Sequence, residues 1–177
     1  MRLPDEPKFS GSQIQSRINE LATTLNHDLE KMNPLFLITL KGAIHFGSDL
    51  LRKITISHEL DFIQAKSYED TQSTGTIGIL KEPTTPLDGR VPVLLEDIVD
   101  TGLTAHSLED WCRQQGAKDF LCCTLLNKPA NRKIEFEPNY VGYEVGKNEF
   151  VVGYGMDYNE EYRSLPEIYV LETSSPD

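Results

Sequence analysis

Basic side chains are scarce. Lys and Arg number 17 against 28 Asp and Glu, a formal charge of −11 over 177 residues. Non-specific nucleic-acid binding relies on basic surface, so this balance argues against such a partner, though not against a small anion held by a few local cations. Cysteine is equally sparse. Cys112, Cys122 and Cys123 form no C-x-x-C pair and have no His beside them at zinc spacing, so neither a disulfide framework nor a zinc site is expected. Three reduced core thiols fit a cytoplasmic protein. Long hydrophobic runs are missing too, and the N-terminus lacks a signal-peptide pattern, so no membrane association is expected. No linker, repeat or low-complexity stretch divides the chain, which reads as a single domain over 1–177 with room for a proper core.

What is present alternates. Ile14, Ile18, Leu21 and Leu25 recur at helical spacing after Ser10-Gly11-Ser12. Apolar runs predict strands over 35–40, 60–65, 77–80, 93–95 and 120–126, with shorter ones at 140–143, 151–154 and 168–171. Helical patterns follow the first run (Ile44, Leu50, Leu51) and the fourth (Leu108, Trp111, Cys112, stopped by Gly116). The polar segment 67–76 reads as a mobile loop and 82–90 as a turn region. Such alternation implies an α/β fold with a mainly parallel sheet flanked by helices, and ligands in such sheets bind beyond the C-terminal strand ends. Leu40-Lys41-Gly42, Glu96-Asp97 and Asn127-Lys128 all follow expected strands and so face one edge.

The segment VLLEDIVDTGLTAHSL, 93–108, runs from a buried strand into a helix. It places Glu96, Asp97 and Asp100 in what reads as the strand-to-helix turn. Two carboxylates about 6 Å apart repel by roughly 0.7 kcal/mol in water and about 3 at an effective dielectric near 20. That cost is tolerable if the groups are wet or if something polar or cationic binds. Asp100-Thr101-Gly102-Leu103-Thr104 adds small and hydroxyl residues at a helix start, where backbone N–H groups make an anion site. Acidic and anion-binding halves side by side suit a phosphorylated sugar. The plainer alternative is that these residues end a strand and cap a helix, with Asp100 as N-cap.

VLLEDIVDTGLT, 93–104, resembles the phosphoribosyl-pyrophosphate motif of the type I phosphoribosyltransferases. LKGAIHFGSDLL (40–51), FIQAKSY followed by QSTG (62–75), and FVVGYGMDYNEEYRSLPEIYVL (150–171) look like the hypoxanthine and hypoxanthine-guanine branch of that family. The likeness runs from about residue 35 to residue 171. It implies a parallel core sheet with a small hood from the chain ends, and homodimers or homotetramers. It implies transfer of the phosphoribosyl group of phosphoribosyl pyrophosphate to a 6-oxopurine, with Mg²⁺ on the pyrophosphate. A xanthine-preferring relative, or a nucleic-acid-binding regulator that kept the fold, are the alternatives.

By the same resemblance, Glu96 and Asp97 meet the ribose hydroxyls, directly or through metal and water. Asp100 is the catalytic acid or base near N7 of the purine. Thr101, Gly102, Leu103 and Thr104 form the 5′-phosphate loop, Leu103 through its backbone alone. Lys41, Gly42 and Arg163 contact pyrophosphate, and the Lys41–Gly42 region can hold a cis peptide. Lys128 donates to O6 of the base, Phe150 stacks on it, and the Val151 backbone reads its edge. Asp157 is a carboxylate of the purine and metal region, so Glu96, Asp97 and Asp157 form the metal set. Ser67 and Tyr68 belong to a lid. Asn127 stands where bacterial-type relatives often carry Asp, which removes a salt link to Lys128.

Overall fold

A computed structural model describes residues 3–67 and 77–172 of the chain. The first helix, α1 (Gly11–Asp28), starts inside the SGS signal rather than after it, with Ser10 as its cap. The Ser10 hydroxyl accepts from the Gln13 N–H, and the Gln13 side chain accepts from the Ser10 N–H, a reciprocal cap. Its apolar stripe, Ile14, Ile18, Leu21 and Leu25, is buried.

Among the described residues, six strands form one sheet in the order β3-β2-β1-β4-β5-β6. These are β1 (Leu35–Thr39), β2 (Glu59–Ser67), β3 (Ile77–Lys81), β4 (Pro92–Val99), β5 (Leu121–Asn127) and β6 (Tyr140–Glu144). Neighbours are parallel except β3, which lies antiparallel on β2. Helices α2 (Ile44–Leu51) and α3 (Leu103–Gln114) follow β1 and β4. Alternation along each strand splits the core. Phe36, Ile38, Val93, Leu95, Cys123 and Leu125 pack with α1 and α2. Leu35, Leu37, Leu94 and Cys122 pack with Ala105, Leu108 and Cys112 of α3. The chain leaves β1 toward one face and β4 toward the other, so a crevice opens between their C-terminal ends.

Val93, Leu94 and Leu95 have no exposed surface. Burying all three contributes roughly 5–9 kcal/mol, more than the few kcal/mol of repulsion among the carboxylates that follow. The acidic pair is not in a turn, however. The ladder to β5 continues through Glu96↔Thr124, Ile98↔Leu126 and Val99↔Asn127, so Glu96 and Asp97 are strand residues and the turn is confined to 100–102. Nor does Asp100 cap α3. The cap position is Gly102, at φ 83°, with no side-chain capping bond. That left-handed backbone suits glycine.

The second sheet is small: β7 (Val151–Val152) antiparallel to β8 (Tyr169–Val170). Both strands are shorter than expected, because Gly153, at φ 96°, turns the chain just after Val152. Phe9 pairs with Ile168 in an antiparallel bridge, and its ring stacks on Tyr143 at 4.2 Å. Residues from both ends of the chain thus form the hood. Among the described residues no helix is long and apolar enough to cross a membrane.

Candidate active site at the C-terminal edge of the sheet

The crevice is floored by carboxylates. Glu96 is only 5% exposed. Burial pushes its carboxyl well above the usual range, and Asp97 beside it adds to this. Glu96 Oε1 and Thr39 Oγ1 are both buried without a hydrogen-bond partner. Such groups are costly unless a ligand, ion or water completes them. Asp97 is pushed to about 6, chiefly by burial and also by Asp157, against the pull of its own and the Ile98 amides and of Arg163.

Two glycines bring three segments together above Asp97. The Leu40–Lys41 peptide is cis, one bond earlier than Lys41–Gly42. Gly42 follows it against the strand: a Cβ there would lie 2.2 Å from Asp97 Oδ2. From the hood, Gly155 (φ 105°) presses on Gly42, and a Cβ there would lie 1.9 Å from the Gly42 carbonyl oxygen. The cations expected at a pyrophosphate converge on the same place. Arg163 pairs with Asp157 at 2.8 Å and with Glu160 at 3.3 Å, and donates to the Gly155 carbonyl at 2.8 Å. Lys41 Nζ reaches Glu160 at 3.0 Å. Glu160 therefore holds both cations. It sits in a strained run, with Asn159, Glu160 and Tyr162 all at positive φ.

The turn after β4 surrounds a cleft of about 220 Å³ lined by 96–102, Thr104 and Ala105. The start of α3 lies at its rim, with Thr104 and Ala105 in the lining. Behind the turn stands Arg132, which the sequence reading missed. Its guanidinium donates to the carbonyls of Val99 (3.0 Å), Asp100 and Phe136 (2.7 Å), and to Asn127 Oδ1. Arg132 thus ties the carbonyls of Val99 and Asp100 to Phe136 and Asn127, bracing the loop from behind.

A second cleft, about 190 Å³, is lined by Asp97, Ile98, Asp100, Lys128, Phe150, Val151, Met156 and Asp157. It unites all four residues expected at the purine, with Asp100, and adds Met156. Lys128 is 6% exposed. Its Nζ lies 3.5 Å from Asp100 Oδ2, while Asn131 Nδ2 donates to Asp100 Oδ1 at 2.8 Å. Lys128 thus has a carboxylate partner despite Asn127, whose amide oxygen serves Arg132 instead. Phe150 is not core: it is 42% exposed, held edge-on by Tyr158 with ring centres 5.7 Å apart. Val151 beneath it is buried. Of the expected lid, Ser67 is the last residue of β2, and Tyr68 lies outside the described residues.

The arrangement offers acceptors for hydroxyls at Glu96 and Asp97, N–H donors for an anion at 101–104, and a lysine with an exposed ring beside them. For a cation, no three carboxylate, histidine or cysteine groups converge among the described residues. Asp157 is already engaged by Arg163 and by the Glu160 N–H (2.9 Å). Buried like-charged oxygens with one atom unsatisfied nevertheless fit a hard dication that brings most of its ligands with a phosphorylated substrate, as Mg²⁺ does.

Residues 10–159 match the sequence profile of the phosphoribosyl transferase domain. The chain is 41% identical over 165 residues to the hypoxanthine-guanine phosphoribosyltransferase of Bacillus subtilis, covering 93% of this chain and 91% of that protein. It is 43% identical over 165 residues to the bifunctional protein TilS/HprT of Listeria monocytogenes, covering 93% of this chain but spanning only a quarter (25%) of that relative's length. A crystal structure of a hypoxanthine-guanine phosphoribosyltransferase from Bacillus anthracis superposes with a TM-score of 0.91 at 37% identity, covering 97% of this chain and 100% of that one.

Proposed function

This chain belongs to the phosphoribosyltransferase family, and on that premise we propose that it makes inosine or guanosine monophosphate from phosphoribosyl pyrophosphate and hypoxanthine or guanine. The observation that carries this reading is the union of Lys128, Asp100 and the exposed Phe150 ring in one cleft, beside the cleft formed by the turn after β4.

In this reading the 5′-phosphate is held by the turn at 101–104, whose amides and Thr hydroxyls donate to it. Glu96 and Asp97 accept from the ribose hydroxyls. Pyrophosphate lies toward Lys41, Gly42 and Arg163, which takes hold of its oxygens in place of Glu160. Phe150 stacks on the purine, the Val151 backbone meets its edge, and the Lys128 ammonium, a donor only, faces O6. N9 of the base bonds to C1′ as the C1′–oxygen bond to pyrophosphate breaks. The proton lost from the imidazole part of the purine passes to Asp100 at N7. Mg²⁺ held near Glu96, Asp97 and Asp157 would neutralise charge on the leaving pyrophosphate. The lid that the resemblance assigns to Ser67 and Tyr68 would screen the site from water.

We also infer assembly into homodimers or homotetramers of a cytoplasmic enzyme. Supporting the assembly is an apolar groove of about 430 Å³ on the α2–β2 side, where Ile44 and Leu60 are 44% and 47% exposed. Three free, buried cysteines suit a reducing compartment. The deciding assay is nucleotide formation from phosphoribosyl pyrophosphate with hypoxanthine, guanine, xanthine and adenine in turn. Turnover of neither hypoxanthine nor guanine refutes the reading, and a marked preference for xanthine replaces its substrate.

A further inference from the structure

Asp100 is a short side chain in a turn, and 41% of it is exposed. A carboxylate on one methylene rotates broadly about its last torsion. Something must stop that rotation if one oxygen is to meet a ring nitrogen repeatedly in the same place. Lys128 alone is a poor stop. Its contact of 3.5 Å is long, and an ammonium drawn closer to the carboxylate would turn away from the base.

We propose that Asn131 is a positioning residue: its amide fixes the Asp100 carboxylate from outside the purine cleft, so that Oδ2 is the oxygen turned to the base beside Lys128. The proposal rests on the role given to Asp100 above. Asn131 Nδ2 makes the short bond to Oδ1, 2.8 Å, and the same nitrogen donates to the Lys147 carbonyl at 3.3 Å. Both of its hydrogens thus meet acceptors, which fixes the amide's orientation, since exchanging its nitrogen and oxygen would set oxygen against oxygen twice. Asn131 lines neither cleft. It ends the 3₁₀ turn Pro129–Asn131, closed by its N–H on the Lys128 carbonyl at 3.1 Å and stiffened by the proline ring. The mount is rigid, and a neutral donor holds the carboxylate without competing with Lys128 for the position opposite O6.

The test is a double-mutant cycle read by single-turnover rate, with equilibrium binding of phosphoribosyl pyrophosphate and thermal midpoint measured alongside. Asn131→Ala should slow the step about tenfold, the scale of losing one hydrogen bond to a charged group, with binding changed less than about twofold. Asn131→Asp should be slower still, because it sets a second carboxylate against the first. In an Asp100→Ala background, Asn131→Ala should cost nothing more. An equal penalty in both backgrounds would make Asn131 merely structural and overturn the proposal while leaving Asp100 its role; a full-speed Asn131→Ala would overturn it too. If Asp100→Ala alone runs at the wild-type rate, the reading of Asp100 fails, and the positioning role fails with it.

Discussion

Replacing Gly155 by Ala tests whether hood and core must meet at one distance for the site to work. The new Cβ would stand 1.9 Å from the Gly42 carbonyl oxygen and 3.1 Å from its carbon. Since Cβ atoms are essentially never found closer than 3.0 Å to such a neighbour, about 1 Å of separation must be created. Gly42 cannot simply retreat, because Asp97 Oδ2 would be 2.2 Å from a Cβ on its other side, close packing already. The hood must lift, and Arg163, bonded to the Gly155 carbonyl at 2.8 Å, lifts with it. A misplacement near 1 Å can cost about 10²-fold in rate, and an alanine held at φ 105° costs on the order of 1–3 kcal/mol of strain. We therefore expect kcat/KM to fall about 100-fold with a lowered thermal midpoint. Gly89→Ala supplies the control: it shares a positive φ (69°) but meets nothing within 4 Å, so it should lose stability and keep turnover. If Gly155→Ala keeps kcat/KM within about threefold, the Gly42–Gly155 contact does not set the geometry of the pyrophosphate side.

Asp100→Asn should slow single turnover by about 10²–10⁴-fold while phosphoribosyl pyrophosphate still binds, and an unchanged rate would leave Asp100 no part in proton transfer. Lys128→Gln substitutes a group that can both donate and accept, so kcat/KM for 6-oxopurines should drop and discrimination against adenine should relax; a ratio that stays put removes Lys128 from base recognition. Excess chelator should abolish turnover, and activity persisting in metal-free reagents would contradict the Mg²⁺ requirement. For pH, Asp97 titrates near 6 in the folded chain against 3.8 ordinarily. The folded state therefore retains the proton between those values, and ionisation lowers stability as pH rises from about 4 through 6. Without ligand or metal, Asp97→Asn should raise the thermal midpoint at pH 7.5, with the gain vanishing near pH 4; a gain independent of pH would assign it to something other than charge.

Much of this was readable because it is local. The unbroken apolar run at 93–95 marked a strand covered on both faces, and its residues do alternate between the two halves of the core. Ser10-Gly11-Ser12 marked a helix start. What escaped depends on partners far along the chain. The end of the apolar run did not mark the end of β4, because β5 keeps the ladder going to Asn127. Asp100 looked like a helix cap, yet the left-handed Gly102 moves the start of α3 past it. Arg132 and Asn131 look like any polar residues of a loop, since the groups they serve, at Val99 and Asp100, lie some thirty positions earlier. The family likeness located Lys128 and Phe150, but only the packing shows that the ammonium is buried and the ring exposed.

The bridge between Phe9 and Ile168 also orders events during synthesis. Every strand of the parallel sheet has been made once Glu144 has left the ribosome, whereas the hood gains its second strand only with Tyr169 and Val170. The residues before α1 must wait until Ile168 has been made for their pairing partner. Closing so long a loop costs little more than closing a short one, because the entropy grows only with the logarithm of length. A nascent chain can therefore carry a finished sheet with Glu96, Asp97 and Asp100 in place, yet have no second hood strand to seat Phe150 and Arg163 over them. Prematurely terminated chains would then be expected to fold and stay inert.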